Sequence, residues 1–237
     1  MGSVLDTENQ SYAKLMIQLL YQGQWVLFSI ILAALLVSLS FHEFGHAWVA
    51  KRCGDNTAQR AGRLTLNPIS HIDPMGLMMV VFVGFGYAKP VPINFWNFKH
   101  WRRDTILVAS AGPMSNLILA FLSAFVFYIV PFFPEVIWPW LRVTIYSSIT
   151  INLILFVFNM LPLLPLDGGR VAVAILPRQL GQLFARLERA GIVIIIIALF
   201  LLPWLGSQLG LDFDVFNWLV LQPAQYLMIF ITLVVGI

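Results

Sequence analysis

The amino-acid sequence predicts an all-α polytopic membrane protein with about five transmembrane helices and a short extended or re-entrant segment beside its functional residues. Of the 237 residues, 59% are hydrophobic and only 11% are charged. This composition is typical of membrane proteins and lacks the polar surface that a soluble domain needs. The apolar residues also fall in runs of about twenty, the length that an α-helix needs to cross the hydrocarbon core. Neither feature supports nucleic-acid binding, and both predict that the chain lies in the lipid bilayer.

The predicted spans share this length and apolarity, and they cover residues 25–50, 105–130, 140–161, 191–206 and 215–237. The fourth is short for a complete crossing. Segment 76–88 is too short to cross alone, and we expect it to pack against the bundle or to enter the membrane and return.

Basic residues predict the orientation of the chain. Twelve of the 14 Lys and Arg lie between the first and second spans or between the third and fourth: Lys51, Arg52, Arg60, Arg63, Lys89, Lys99, Arg102, Arg103, Arg170, Arg178, Arg186 and Arg189. The positive-inside rule places both segments in the cytoplasm. The amino terminus is therefore expected outside and the carboxyl terminus inside.

The first span carries three ionisable residues near its end, His42, Glu43 and His46. Ionisable groups in a span are costly, about 2.5 to 3.5 kcal/mol each on insertion scales, and they mark function. Because residues i and i+4 share one helix face, the two imidazoles can bind one metal ion with Glu43 beside them. Zinc suits such a site and activates water, from which Glu43 can take a proton. The alternative is two buried histidines beside a surface glutamate.

Two histidines leave a catalytic zinc site one protein ligand short. The candidates for the third ligand are His71, Asp73, His100, Asp104 and Asp167. Depth in the membrane favours the region of Asp167. His42 follows Trp25, and Asn159 follows Trp140, by similar lengths of about 26 to 28 Å if both helices start at the outer interface.

The segment after Asn159, MLPLLPLDGGR, contains residues that end a helix. Pro162 and Pro165 stop it, and two glycines after Asp167 allow the chain to turn. Non-helical backbone at membrane depth persists only where it is buried in protein or lines a water-filled cavity. Asp167 is therefore expected to face a cavity, or else to cap a helix that starts at Gly168.

HEFGH at 42–46, followed by NMLPLLPLDGGR at 159–170, resembles the site-2 protease family of intramembrane zinc metalloproteases. GRLTLNPISHIDPMG, GYAKPVPIN and SAGPMSN are similar to further motifs of its compact prokaryotic members, and the resemblance covers roughly residues 38–175. No inserted PDZ domain or CBS pair is found. The resemblance, with this lack of accessory domains, predicts an integral protein of a prokaryotic cytoplasmic membrane.

The resemblance also assigns roles to residues. It implies that His42, His46 and Asp167 bind Zn²⁺, that Glu43 is the catalytic base, and that Asn159 stabilises the oxyanion. The implied activity is hydrolysis of a peptide bond within, or near the cytoplasmic edge of, a transmembrane helix of a protein substrate. The whole chain, 1–237, is then one membrane-embedded metalloprotease domain with a catalytic core at about 25–175 and accessory spans at about 191–237.

Three further polar residues are candidate accessory groups. Asn116, in SAGPMSN, either supports helix packing or faces the cavity and orients peptide or water. His71 and Asp73 either belong to a structural turn or act near the metal as a gate or transient ligand. The segment KPVPIN is expected to be extended because Pro90 and Pro92 disfavour helix in the residues before them. It is then either a simple loop or a strand that pairs with substrate.

A different class of function is a zinc-binding membrane transporter, or a non-catalytic membrane protein, because intramembrane His and Asp also mark ion pathways. A transporter needs further ligands along a path and usually an internal repeat. The sequence shows one compact cluster and no repeat, which favours the enzyme.

Overall fold

The computed structural model describes residues 15–83, 86–186, 188–210 and 214–237, and all regular structure within them is helical. The α-helices, in chain order, are α1 Leu15–Tyr21, α2 Trp25–Arg52, α3 Thr57–Arg60, α4 Pro74–Val83, α5 Trp101–Val126, α6 Trp138–Met160, α7 Asp167–Ile175, α8 Arg178–Arg186, α9 Glu188–Ile196, α10 Leu202–Gln208 and α11 Gln222–Val235. The predicted all-α class is confirmed.

Four helical segments in the described residues are long and apolar enough to cross a membrane: Trp25–Arg52, Trp101–Phe132, Glu135–Met160 and Asn217–Val235. They correspond to four of the five predicted spans. The remaining predicted span, 191–206, passes the same criterion only together with α8, as the pair Arg178–Arg186 and Ala190–Gly206 bent by 63°. The described residues therefore contain four candidate spans, or five if the bent pair crosses as one.

Two short π-helical segments interrupt the C-terminal helices, at Ile197–Leu201 and Asn217–Leu221. Each lies just before a helical proline, Pro203 or Pro223. Proline has no N–H to continue the i→i−4 hydrogen-bond ladder, and a shift to i→i−5 bonding accommodates this loss. The two irregularities therefore follow from the sequence.

The main apolar core lies between α5, α6 and α11. Ile149 and Leu153 of α6 and Ile231 of α11 are fully buried there, and they pack with Ala120 and Ala124 of α5. Small residues on one helix let a neighbouring helix approach closely, which is the usual packing mode inside a membrane. Helix α11, in the part of the chain predicted to be accessory, thus contributes to the same core as α5 and α6.

Helices α2 and α5 run antiparallel and approach each other closely. At Gly45 an added Cβ would lie 2.8 Å from the backbone oxygen of Ala111, so the contact needs glycine. Helix α5 continues through Pro113 without ending. This pairing brings the histidine-bearing end of α2 against the SAGPMSN segment.

The predicted extended segment is also present. Residues 86–94 have no helix, and they are anchored at Lys89, whose N–H donates to His71 O at 2.9 Å, and at Asn94, whose N–H donates to Asp55 Oδ2 at 2.7 Å. Helix α4 precedes this segment and packs against α1. Of the predicted segment 76–88, residues 84–85 lie outside the described residues.

Candidate metal centre

The two histidines of the first span lie one turn apart on α2 and face the same side. Their Nε2 atoms are 3.1 Å apart, and both side chains are buried. The helical spacing of four residues accounts for this convergence.

Asp167 reaches the histidines from another part of the chain. Its Oδ2 lies 3.2 Å from His42 Nε2 and 3.2 Å from His46 Nε2. Asp167 is the first residue of α7, Leu166 is its N-cap, and no side-chain hydrogen bond caps the helix. The carboxylate therefore faces the imidazoles, and the capping alternative for Asp167 is not what the structure shows.

The turn that places Asp167 beside the histidines depends on the two glycines that follow it. A Cβ at Gly168 would lie 2.3 Å from Met160 O, and one at Gly169 would lie 2.5 Å from the backbone nitrogen of Leu164. No larger residue fits either position without moving the backbone. The glycines thus let α7 begin directly against the end of α6.

The three potential ligand atoms, Nε2 of both histidines and Oδ2 of Asp167, form a nearly equilateral triangle whose sides are 3.1, 3.2 and 3.2 Å. A tetrahedral zinc site with bonds of about 2.0 to 2.1 Å requires ligand separations of about 3.3 to 3.4 Å. His42, His46 and Asp167 also form the one group of three or more potential His, Cys, Asp or Glu ligands found among the described residues. The donor set and its dimensions therefore fit zinc and leave a fourth position open.

The remaining ring nitrogens of both histidines contact hydrogen-bond acceptors. His42 Nδ1 lies 2.7 Å from Asn116 Oδ1, and His46 Nδ1 lies 2.7 Å from Val108 O. Because an oxygen acceptor requires an N–H on the facing nitrogen, each neutral ring carries its proton on Nδ1. The lone pair of each Nε2 is then directed at the centre of the triangle, as a metal ligand requires.

Sequence reasoning missed the closeness of Gly112 to the site. A Cβ at Gly112 would lie 2.2 Å from His46 Nε2 and 2.7 Å from His42 Nε2. The glycine in SAGPMSN could be seen in the sequence, but only the packing of α5 on α2 reveals what it faces.

Glu43 lies beside this triangle on α2 and is buried. Its Oε2 accepts a hydrogen bond from the N–H of Val91 at 2.8 Å. The contact places the extended segment 86–94 against the site.

The other candidates lie in different surroundings. Asn159, near the end of α6, donates from Nδ2 to Leu155 O at 3.0 Å within its own helix. His71 is buried, and its Nε2 lies 2.8 Å from Thr65 O. Asp73 Oδ1 accepts hydrogen bonds from the first N–H groups of α4. Neither His71 nor Asp73 is part of the triangle formed by His42, His46 and Asp167.

The two remaining candidates for the third ligand also have other partners. The Asp104 carboxylate pairs with Arg103 Nη2 at 3.0 Å and accepts the His100 N–H at 2.8 Å. These interactions belong to the start of α5, and neither residue is in the triangle.

The sequence model of peptidase family M50, the site-2 protease family, matches residues 30–137 and 135–203 of the chain. The chain belongs to peptidase family M50. It is 42% identical to "Putative zinc metalloprotease YwhC" of Bacillus subtilis over 177 residues, and this alignment covers 73% of this chain and 80% of the relative. It is 34% identical over 209 residues to "Putative zinc metalloprotease Rip2" of Mycobacterium tuberculosis, covering 85% of this chain and 75% of the relative. No solved structure matches the chain significantly.

Membership of the M50 family and the geometry of the triangle agree. The protein is an integral membrane zinc metallopeptidase, and its cofactor is Zn²⁺. The resemblance seen in the sequence is confirmed.

Proposed function

We propose that this M50 peptidase cleaves a peptide bond within, or near the cytoplasmic edge of, a transmembrane helix of a protein substrate. His42, His46 and Asp167 bind the metal, and Glu43 is the general base. The observation that carries the proposal is the position of the buried Glu43 carboxylate beside the metal triangle and against an extended segment. Bound zinc supplies a Lewis acid that polarises the scissile carbonyl and makes water easier to deprotonate. Glu43 takes the proton from that water and passes it to the leaving amine.

Asn159 is the proposed oxyanion donor. Its amide is a neutral donor of the kind that stabilises developing negative charge. One hydrogen of Nδ2 donates to Leu155 O, and the second hydrogen is the one proposed to meet the oxyanion.

The extended segment is the proposed binding surface for unwound substrate backbone. In residues 89–94 three backbone N–H groups already have acceptors. Lys89 donates to the backbone oxygen of His71, Val91 to the Glu43 carboxylate and Asn94 to the Asp55 carboxylate. Pro90 and Pro92 have no N–H. The Ile93 N–H is the remaining backbone donor of this segment, so strand pairing with substrate would use it together with segment carbonyls.

The site is proposed to face the cytoplasm. Helix α2 ends in Lys51 and Arg52, a short distance past His46, and α5 begins beside Arg102 and Arg103. These basic helix ends are on the side that the positive-inside rule assigns to the cytoplasm. We further propose that the chain is one domain in a prokaryotic cytoplasmic membrane.

The test is cleavage of single-span protein substrates by the purified chain in lipid vesicles, with products mapped by mass spectrometry. We expect the wild type to cut within or next to the hydrophobic segment. Glu43→Gln should retain zinc and lose cleavage, because the amide cannot accept the proton. Undiminished cleavage by Glu43→Gln would refute the assigned base. Zinc flux across the vesicle membrane that persists in Glu43→Gln, without cleavage by the wild type, would instead support a transporter.

A further inference from the structure

A chain of buried amides leads away from the metal centre across three helices. It joins His42 on α2 to Asn116 on α5 and Asn152 on α6, and Asn116 and Asn152 are 0% and 1% exposed. Asn116 Nδ2 donates to Asn152 Oδ1 at 2.9 Å, and Asn152 Nδ2 donates to Ser148 O at 2.9 Å.

The direction of every hydrogen bond in this chain is fixed by backbone carbonyls. Ser148 O can only accept, so Asn152 must present its Nδ2 there and its Oδ1 to Asn116. Asn116 Nδ2 also donates to Ser38 O at 3.1 Å, which can only accept as well. The Asn116 Oδ1 is therefore left to face His42, and reversing either amide would set two donors or two acceptors against each other.

This fixed direction has a consequence for the metal ligand. Asn116 presents an acceptor to His42 Nδ1, which holds the ring proton there and leaves Nε2 free for the metal. Hydrogen bonds in such a chain also polarise one another, so the acceptor that Asn152 supplies strengthens the bond that Asn116 makes to His42.

We propose that Asn152 is a positioning residue for His42 and acts through Asn116. The proposal rests on the proposed role of His42 as a metal ligand. Helix α6 then supports the site twice: it orients His42 through Asn152, and it ends at Met160 against the glycines that follow Asp167. The two metal-binding segments are thus coupled through one helix.

Zinc affinity of the intact chain in detergent, measured by chelator competition, tests this role. Residues that hydrogen-bond to metal ligands typically contribute 10- to 100-fold to metal affinity. We expect Asn116→Leu to weaken zinc binding by an amount in this range and Asn152→Leu by about 10-fold, near the lower end. If Asn152 acts only through Asn116, the double variant should bind zinc no more weakly than Asn116→Leu alone. The visible spectrum of bound Co²⁺ should change in Asn152→Leu, because the orientation of the His42 ring changes.

Ser123→Ala is the matched control. Ser123 Oγ lies 2.8 Å from Ser148 Oγ, so the variant removes another hydrogen bond between α5 and α6 and leaves every hydrogen bond of the amide chain in place. We expect its zinc affinity and Co²⁺ spectrum to match the wild type. Asn152→Ala, which also lacks the acceptor, replaces Asn152→Leu if the latter does not fold.

Two results would overturn the proposal. One is wild-type zinc affinity and Co²⁺ spectrum in a folded Asn152 variant, and the other is full additivity of the Asn116 and Asn152 effects. His42→Ala separates this failure from failure of the ligand set. Zinc binding lost in His42→Ala but unchanged in Asn152→Leu refutes only the positioning role, whereas binding unchanged in His42→Ala refutes the ligand role and the positioning role with it.

Discussion

Gly112 lies so close to His46 that a Cβ at Gly112 would stand 2.2 Å from the imidazole Nε2. The same Cβ would be 2.7 Å from Nε2 of His42. Both distances are shorter than any ordinary contact, so the two ring nitrogens can converge only because this position has no side chain.

Gly112→Ala is therefore expected to abolish stoichiometric zinc binding, because the methyl group displaces the imidazoles from their common point. Zinc per folded chain is measured after purification. Gly45→Ala is the control. Its Cβ would lie 2.8 Å from the backbone oxygen of Ala111, so it disturbs the same contact between α2 and α5 without touching an imidazole directly. We expect Gly45→Ala to lose stability yet bind zinc when folded. Full zinc occupancy in Gly112→Ala would contradict the site geometry.

Ile93→Pro is expected to lower kcat/KM for a membrane-embedded substrate by about 10-fold, while zinc content stays unchanged. The reason is loss of the remaining backbone donor in segment 89–94, where one hydrogen bond to a desolvated partner is worth about 1 to 1.5 kcal/mol. Ile93→Ala keeps the N–H and controls for loss of the side chain. Equal turnover by Ile93→Pro and Ile93→Ala would mean that this N–H does not bind substrate.

Asp55 anchors the far end of that segment and lies outside the spans. Its carboxylate accepts hydrogen bonds from the N–H groups of Asn94 at 2.7 Å and Thr57 at 3.0 Å and from Asn97 Nδ2 at 2.8 Å. Burial alone would raise the pKa of Asp55, but the hydrogen bonds from Thr57, Asn94 and Asn97 outweigh it and hold that pKa below its usual value.

Since the folded pKa of Asp55 lies below the unfolded value of about 3.9, the ionised carboxylate stabilises the protein above pH 4. This contribution is lost as the pH falls through the folded pKa. Asp55→Asn is therefore expected to lower the unfolding temperature at pH 7, and its deficit relative to the wild type should shrink at more acidic pH. A deficit independent of pH, in thermal unfolding from pH 3 to pH 7, would contradict this prediction.

Helix α11 should stabilise the same helical unit as α5 and α6. Ile231 is fully buried against α5 and α6, whereas Leu233 is 75% exposed on the outer face of the helix. Ile231→Ala is expected to cost about 2 to 5 kcal/mol of unfolding free energy because it leaves a cavity. Leu233→Ala should cost much less. Similar thermal stability of the two variants, measured in the same detergent, would argue that α11 is dispensable to the bundle.

The sequence predicted the parts of the fold that depend on local pattern. Apolar run lengths located the four long spans, and the four-residue spacing of His42 and His46 predicted two imidazoles on one face. The bend between α8 and the helices after it was not predicted. The two proline-associated π segments had a visible signal in Pro203 and Pro223.

The contacts that complete the site depend on helix packing, which no local pattern specifies. Asn116 was a candidate for either packing or orienting a reactant, and the structure shows it bonded to His42. No pattern in the sequence singled out Asn152. Its importance comes from lying opposite Asn116 on a third helix.

The most direct test of the metal centre compares the zinc affinity of Asp167→Ala with that of the wild type by chelator competition. Asp73→Ala is the control, because Asp73 caps α4 and is not in the triangle. We predict that the wild type binds one zinc per chain and that Asp73→Ala binds zinc with an affinity within about two-fold of the wild-type value. Asp167→Ala should lose more than the roughly 100-fold in zinc affinity that changes to residues hydrogen-bonded to metal ligands can cause. Wild-type zinc affinity in Asp167→Ala would contradict the assignment of the third ligand and, with it, the proposed catalytic centre.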